Sequence, residues 1–184
     1  MSELISRRAA IAAGVVAAGG LARLPRLVRA ADSGTTSQEE ANKAIVRRWF
    51  TNFWGKRVDL TIVDELAAPD MLLKYSLHAP RQGLKDIKAF MTDFRKAFPN
   101  LNFWGTAGLI AEGDFVVGRW EGGGTHSGPA FSDFLAGSLA PATGRFMHFT
   151  GTSVLKLKDG KILEEIGLDD GVTALEQLGL IRAL

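Results

Sequence analysis

The sequence has no cysteine, which excludes disulfides, thiolate nucleophiles and cysteine-ligated zinc or iron–sulfur sites. Histidine is scarce. His78, His126 and His148 stand far apart, and none has the His-Glu-x-x-His or comparable spacing that gathers metal ligands on one face of a helix. There is one tyrosine, Tyr75. No serine sits in a nucleophile-elbow pattern. The glycine run Gly122-Gly123-Gly124 lies inside a strand hairpin with no helix N-terminus after it to hold a phosphate, so it reads as a place where a sheet bends. Excess charge is also small, with 22 basic against 20 acidic residues.

That small excess belongs to the N-terminus. Residues 1–30 carry Arg7, Arg8, Arg23, Arg26 and Arg29 against Glu3 alone, and the remainder has a net charge of −2. No basic face is left for nucleic acid. Ser6-Arg7-Arg8 precedes an uncharged run of small residues over 9–22, followed by Val28-Arg29-Ala30. A basic start, a short apolar stretch and a small-residue cleavage site make a signal peptide over residues 1–30. The paired arginines resemble those of a twin-arginine leader. The run has 14 residues, short of the roughly 20 that span a bilayer. The expectation is an exported protein, periplasmic or extracellular, without a membrane span once the leader is cleaved. Residues 31–37 read as a linker, and 38–184 as one domain.

In that domain Ser37-x-x-Glu40 is a capping-box pattern, opening a helix whose apolar stripe runs Ala41, Ile45, Trp49, Phe53 and stops at Gly55. Asp59 is placed to cap a short second helix ending before Pro69. Residues 71–77 suit a strand, and Leu84, Ile87, Phe90, Met91, Phe94 and Phe98 have a helix period. From there the pattern turns to strands over 101–111, 115–125, 145–158 and 161–168, with hairpin turns at Glu112-Gly113-Asp114 and Asp159-Gly160. Residues 127–144, rich in Gly, Ser, Ala and Pro, read as a long loop carrying Phe131 and Phe134. Thr173-x-x-Glu176 opens a last helix. Helices grouped ahead of strands predict an α+β fold. A cone-shaped curved antiparallel sheet would pack on three N-terminal helices and enclose a pocket.

Several stretches together resemble the SnoaL-like polyketide/ester cyclase domain of the nuclear-transport-factor-2-like superfamily. They include Arg48-Trp49-Phe50, the run from Asp64 to Asp70, Phe94 through Leu101, Gly124-Thr125-His126-Ser127-Gly128, Ala142-Thr143-Gly144-Arg145, Asp159-Gly160-Lys161-Ile162, Glu164-Glu165 and Gln177-Leu178-Gly179. The resemblance spans about residues 38–180. It implies a cone with a deep pocket, often a homodimer formed through the sheet, and cofactor-independent chemistry. An aspartate removes a proton flanked by carbonyls, and the enolate closes a ring. Ile166 stands where the family has an aromatic, and Lys156 where it has an arginine.

Side chains alternate along a strand, so Ile162, Glu164, Ile166, Leu168 and Asp170 share one face if no bulge intervenes. Asp170 then falls where the resemblance puts the acid/base aspartate; its other possible role is a helix N-cap. His126 shares parity with Trp120, and either faces the pocket or bonds at the strand end. His148 and Lys156 share parity too, and are either polar groups of the pocket or part of one exposed edge. Tyr75 is placed for the cone mouth or for a plain strand end. Trp49, Phe53 and Trp120 are candidates for the wall, with burial in the core as the other role open to them. The catalytic candidates are therefore Asp170, His126 and His148. The substrate-binding candidates are Trp49, Phe53, Tyr75, Trp120, Lys156 and Ile166. The expected activity is acid/base chemistry on a small, largely apolar carbonyl compound; the alternative is an exported binding protein for a hydrophobic small molecule.

Overall fold

A computed structural model describes residues 32–182 of the chain, with side chains from Ser37 onward. The expected signal peptide lies outside the described residues. Helix α1 spans Asp32–Trp49. It begins ahead of Ser37, so residues expected to form a linker are helical. The chain then continues without a break into a π-helical turn, Phe50–Trp54, ended by the extended Gly55. Helix α2 is Thr61–Leu66. Asp59 Oδ1 accepts from both the backbone N (3.0 Å) and the hydroxyl (2.7 Å) of Thr61, but the N-cap position falls on Leu60, so Asp59 makes a turn ahead of the helix instead of the expected cap. Strand β1 (Ala67–Lys74) starts immediately, ahead of the expected position. Next come β2 (Arg81–Gln82) and α3 (Leu84–Ala97). The strand expected over 101–111 is divided into β3 (Asn102–Gly105) and β4 (Ile110–Glu112). Long strands β5 (Phe115–Thr125), β6 (Phe146–Lys158) and β7 (Lys161–Asp169) follow, then α4 (Gly171–Gln177).

The strands form one seven-stranded sheet in the order β2-β1-β7-β6-β5-β3, with β4 also on β5. Its pairings are antiparallel except β1 with β7, which is parallel. The β6–β7 hairpin turns at Asp159 (φ 50°) and Gly160 (φ 75°), the two positive angles a two-residue turn of this kind needs. The inner face of the sheet receives α1, the π turn and α3. From α3 the buried stripe is Ile87, Phe90, Met91, Phe94 and Ala97. Burying one such side chain contributes about 1.5–3 kcal/mol, so the stripe decides which way the helix faces.

One irregularity in β7 governs the site. Leu157 pairs with Ile162, but Lys156 pairs with Glu164. Leu163 is an extra residue, a β-bulge. A bulge exchanges the faces of everything beyond it. Ile162 points inward before it, and Glu165 and Gly167 are buried after it, while Ile166 and Leu168 are exposed.

Arg95 of α3 ties the π turn down. Its Nη2 donates to the carbonyls of Trp54 (3.0 Å) and Gly55 (2.6 Å), and its Nη1 to Leu101 O (2.5 Å). The first two carbonyls lie where a helix end leaves acceptors unsatisfied. Burial pushes the guanidinium down to about 10, so it remains charged at neutral pH. Arg95→Ala is expected to lower unfolding stability by about 2–3 kcal/mol, since it strips a charge-assisted donor from several carbonyls; urea denaturation would measure the loss. A change below half a kcal/mol would mean that water replaces the guanidinium freely.

Candidate functional site

Between the helices and the inner face of the sheet lies a slender cavity with about 480 Å³ of empty space, its open mouth included. Each wall can be traced to an element. The π turn supplies Phe50 and Trp54, and α3 supplies Phe90 and Phe94. The end of β1 and the segment after it give Tyr75, Leu77 and His78. The sheet contributes Phe103, Trp120 and Phe149, and the long loop Phe131 and Phe134. Asp169, at the end of β7, is the only carboxylate of the lining. Ten of the thirteen lining residues are Phe, Tyr or Trp, which is why the space is apolar almost throughout.

Two glycines leave room for these rings. A Cβ at Gly167 would fall inside the Tyr75 ring, and one at Gly151 inside the Trp120 ring. Beneath Tyr75 and Trp54 is a fully buried carboxylate, Glu165. Its Oε2 accepts from Trp49 Nε1 (2.7 Å), and its Oε1 from Trp54 Nε1 (3.0 Å) and the Tyr75 hydroxyl (2.5 Å). The π turn makes this possible, because i→i+5 pairing stacks residues five apart, and Trp49 and Trp54 are five apart. The Tyr75 hydroxyl is also 2.7 Å from Ser153 Oγ, which accepts from Trp120 Nε1 at 3.0 Å. Burial pushes Glu165 up to about 7, against the opposing pull of its three donors. Burial, and then the Glu165 charge, hold Tyr75 well above the ordinary tyrosine range.

At the mouth, Asp169 accepts from the Ser76 hydroxyl. Burial raises it above the usual aspartate range, and the hydrogen bonds from Ser76 oppose that. His78 is buried, with its ring 4.2 Å from Phe90. Its Nδ1 is 2.9 Å from Ala79 O. A carbonyl only accepts, so this partner assigns the hydrogen of the neutral ring to Nδ1 and leaves the lone pair on Nε2. Burial holds His78 below the usual histidine range.

The structure redistributes the residues singled out from sequence. Asp170 is exposed and serves as the N-cap of α4, accepting from Thr173 N at 3.2 Å. The Leu163 bulge turns Asp169 inward in its place. His126 lies on the Trp120 side of β5 as expected and is fully buried, but outside the cavity lining. Its nitrogens meet Thr143 Oγ1 (3.0 Å) and Pro129 O (2.9 Å), fastening the long loop at its base. His148 is half-buried on the outer face of the sheet, 5.8 Å from Trp104. Lys156 is also on that face, with its Nζ 5.9 Å over Phe115, and Ile166 is exposed there. Tyr75 and Trp120 line the cavity. Trp49 and Phe53 stack 4.3 Å apart, fully buried behind it. Glu165, Ser153 and Asp169 were not among the sequence candidates. The doubled acids Glu164-Glu165 and Asp169-Asp170 were the available signal, and an unseen bulge decided which of each pair faces inward. Among the described residues no three His, Asp or Glu side chains come together as metal ligands would.

A curved sheet closing over helices around an apolar cavity with a carboxylate at its mouth defines a class of cone-shaped α+β proteins. Within that class, residues 44–178 match the SnoaL-like polyketide cyclase model, and the chain belongs to that family. Solved structures agree. A protein from Jannaschia sp. assigned as a SnoaL-like polyketide cyclase is 22% identical with a TM-score of 0.65, over 78% of this chain and 95% of that one. One from Bacillus cereus, assigned as a polyketide cyclase, is 25% identical with a TM-score of 0.60, covering 77% and 83%. IdmH from Streptomyces antibioticus, also assigned as a polyketide cyclase, is 26% identical with a TM-score of 0.57, covering 75% and 98%. No curated protein matches the sequence.

Proposed function

We propose that the chain is a cofactor-independent, cyclase-like enzyme that acts on a small, largely apolar carbonyl compound, with Asp169 as the acid/base. The carrying observation is Asp169 itself, the one carboxylate lining an aromatic cavity and raised by burial towards working pH. In the proposed step Asp169 takes a proton from a carbon between two carbonyl groups. The C–H bond breaks, and its electron pair passes to a carbonyl oxygen as an enolate. The enolate carbon attacks a second carbonyl of the same molecule, closing a ring. The alkoxide so formed recovers the proton from Asp169.

A second reading is a binding protein for a hydrophobic small molecule. It is favoured by the lack of a lysine or arginine in the lining that would hold an enolate oxygen. Deuterium incorporation separates the two. Incubated in heavy water with a panel of small 1,3-dicarbonyl compounds, the enzyme is expected to speed exchange at the central carbon of at least one of them, seen by mass spectrometry. Exchange no faster than in buffer, for a compound shown to bind, would leave the binding reading.

The same proposal places the protein outside the cytoplasm, delivered by the twin-arginine leader, and makes it a homodimer with no nucleic-acid partner. Support for the dimer is the outer sheet face, which exposes Trp104, Phe115, Phe146, Val154 and Leu168. Monomers rarely leave so large an apolar patch uncovered. Leu168→Arg is expected to convert dimer to monomer in sedimentation analysis, with the far-ultraviolet circular dichroism unchanged. A wild type that sediments as a monomer at tens of micromolar would dispose of the dimer.

A further inference from the structure

The charges around the cavity are one-sided. Its lining contains Asp169 and no lysine or arginine. Among the described residues Asp169 forms no ion pair; the pairs present lie elsewhere. Arg81, whose charge is felt at His78 of the lining, is occupied. It binds Asp133 and sits 5.4 Å over the Phe90 ring, lining a separate outer groove with Asp86 and Asp93. Beneath the Tyr75 and Trp54 rings is Glu165, whose partners are all neutral.

The hydrogen-bond directions add to this. An indole N–H can only donate, so Trp120 donates to Ser153. Ser153 is then free to donate to Tyr75, and Tyr75 to Glu165. Hydrogens delivered from Trp49, Trp54 and Tyr75 therefore converge on Glu165, the arrangement that suits a carboxylate. A neutral ligand filling the cavity would take more water away from Asp169 and leave the buried charge of Glu165 unbalanced. A cation would offset both, and the faces of the surrounding rings carry the negative side of their quadrupole, which attracts cations.

We propose that the cavity takes a positively charged ligand, an apolar amine or quaternary ammonium compound whose cationic group sits among the aromatic rings on the Asp169 side. The inference rests on the reading of this cavity as the functional site, and names the substrate class for it. It also supplies what the acid/base mechanism lacks. An ammonium on the substrate keeps Asp169 ionised, the state that accepts a proton. The same positive charge stabilises an enolate in a cavity with no cation of its own. Fatty acids, phosphate esters and other anions are excluded by the same charges.

The test pairs benzyltrimethylammonium with neopentylbenzene, its neutral isostere, in which carbon replaces nitrogen. Binding to the full chain is followed by tryptophan fluorescence, since Trp54 and Trp120 are in the wall. At pH 8 the cation is expected to bind at least tenfold more tightly than the isostere. Asp169→Asn should cut that preference at least fivefold. Should the variant fail to fold, pH does the same work in the wild type. The groups facing Asp169 are Ser76, His78 and Asp170, and Tyr75 is the titratable group on Glu165. On going from pH 8 to pH 5 Glu165, raised to about 7, gains its proton, and any proton taken up by Asp169 or His78 acts in the same direction, so affinity for the cation should fall while that for the isostere holds. If the isostere binds as tightly as the cation at pH 8, the charge proposal is overturned and the apolar-cavity reading stands. If neither binds up to its solubility limit, both are overturned.

Discussion

Asp169→Asn is expected to lower turnover of any exchanging carbonyl substrate by about 10²–10⁴-fold, the usual contribution of a positioned acid/base. The substitution keeps the shape and the bond from Ser76 but removes the basic oxygen, so melting temperature should stay within a few degrees. Asp170→Asn is the control. Its carboxylate caps α4 in solvent, and asparagine caps about as well as aspartate, so activity should remain within twofold. Steady-state kinetics on both variants decides the matter. Equal losses in the two would mean that the bulge does not separate their roles, and full activity in Asp169→Asn would remove that residue from the chemistry.

The second large effect is on stability and comes from Glu165. Its carboxyl is raised from 4.5 to about 7 in the folded protein. Below pH 4.5 it is protonated in both states, and burial carries no ionic penalty. Between 4.5 and 7 the unfolded chain releases the proton while the folded one keeps it, so stability falls as pH rises. Above 7 the loss is constant, at about 3 kcal/mol for a shift of this size. Glu165→Gln removes the titration. The expected result is that the wild type loses about 3 kcal/mol relative to Glu165→Gln between pH 4.5 and pH 8, measured by urea denaturation. Taking the difference between the two proteins cancels the other titrating groups, among them Asp169, whose raised carboxyl acts in the same direction. Parallel pH profiles would show that the indole and phenol donors hold Glu165 at its ordinary value.

Much of the fold is readable in the chain because it rests on periodicity and turn chemistry. The stripe of α3 and the Asp159-Gly160 turn each name their element through local physics, and both stand where expected. The features that escaped depend on partners distant in sequence. A π turn replaces the last α turn at Phe50–Trp54 because Glu165, more than a hundred residues away, accepts from two indoles spaced five apart. The break between β3 and β4 is likewise not written in the apolar pattern of 101–111. For the site, alternation from Lys161 would put Asp170 inside, and it is right as far as Ile162. The failure begins at Leu163, an unremarkable apolar residue with nothing in its chemistry to announce a bulge. His126 shows a different limit: its face was right, but parity cannot say that Pro129 and Thr143 would already occupy both its nitrogens.

Because acids come in adjacent pairs along β7, sliding that strand by one position would still send one glutamate and one aspartate indoors. Electrostatics alone is thus indifferent to the slip. What forbids it is bulk: Ile166 or Leu168 would arrive where Gly167 now leaves space for the phenol of Tyr75. The identity of the interior acids is therefore chosen by the smallest residue on the strand, and enlarging it to valine should scramble the pairing rather than merely crowd it.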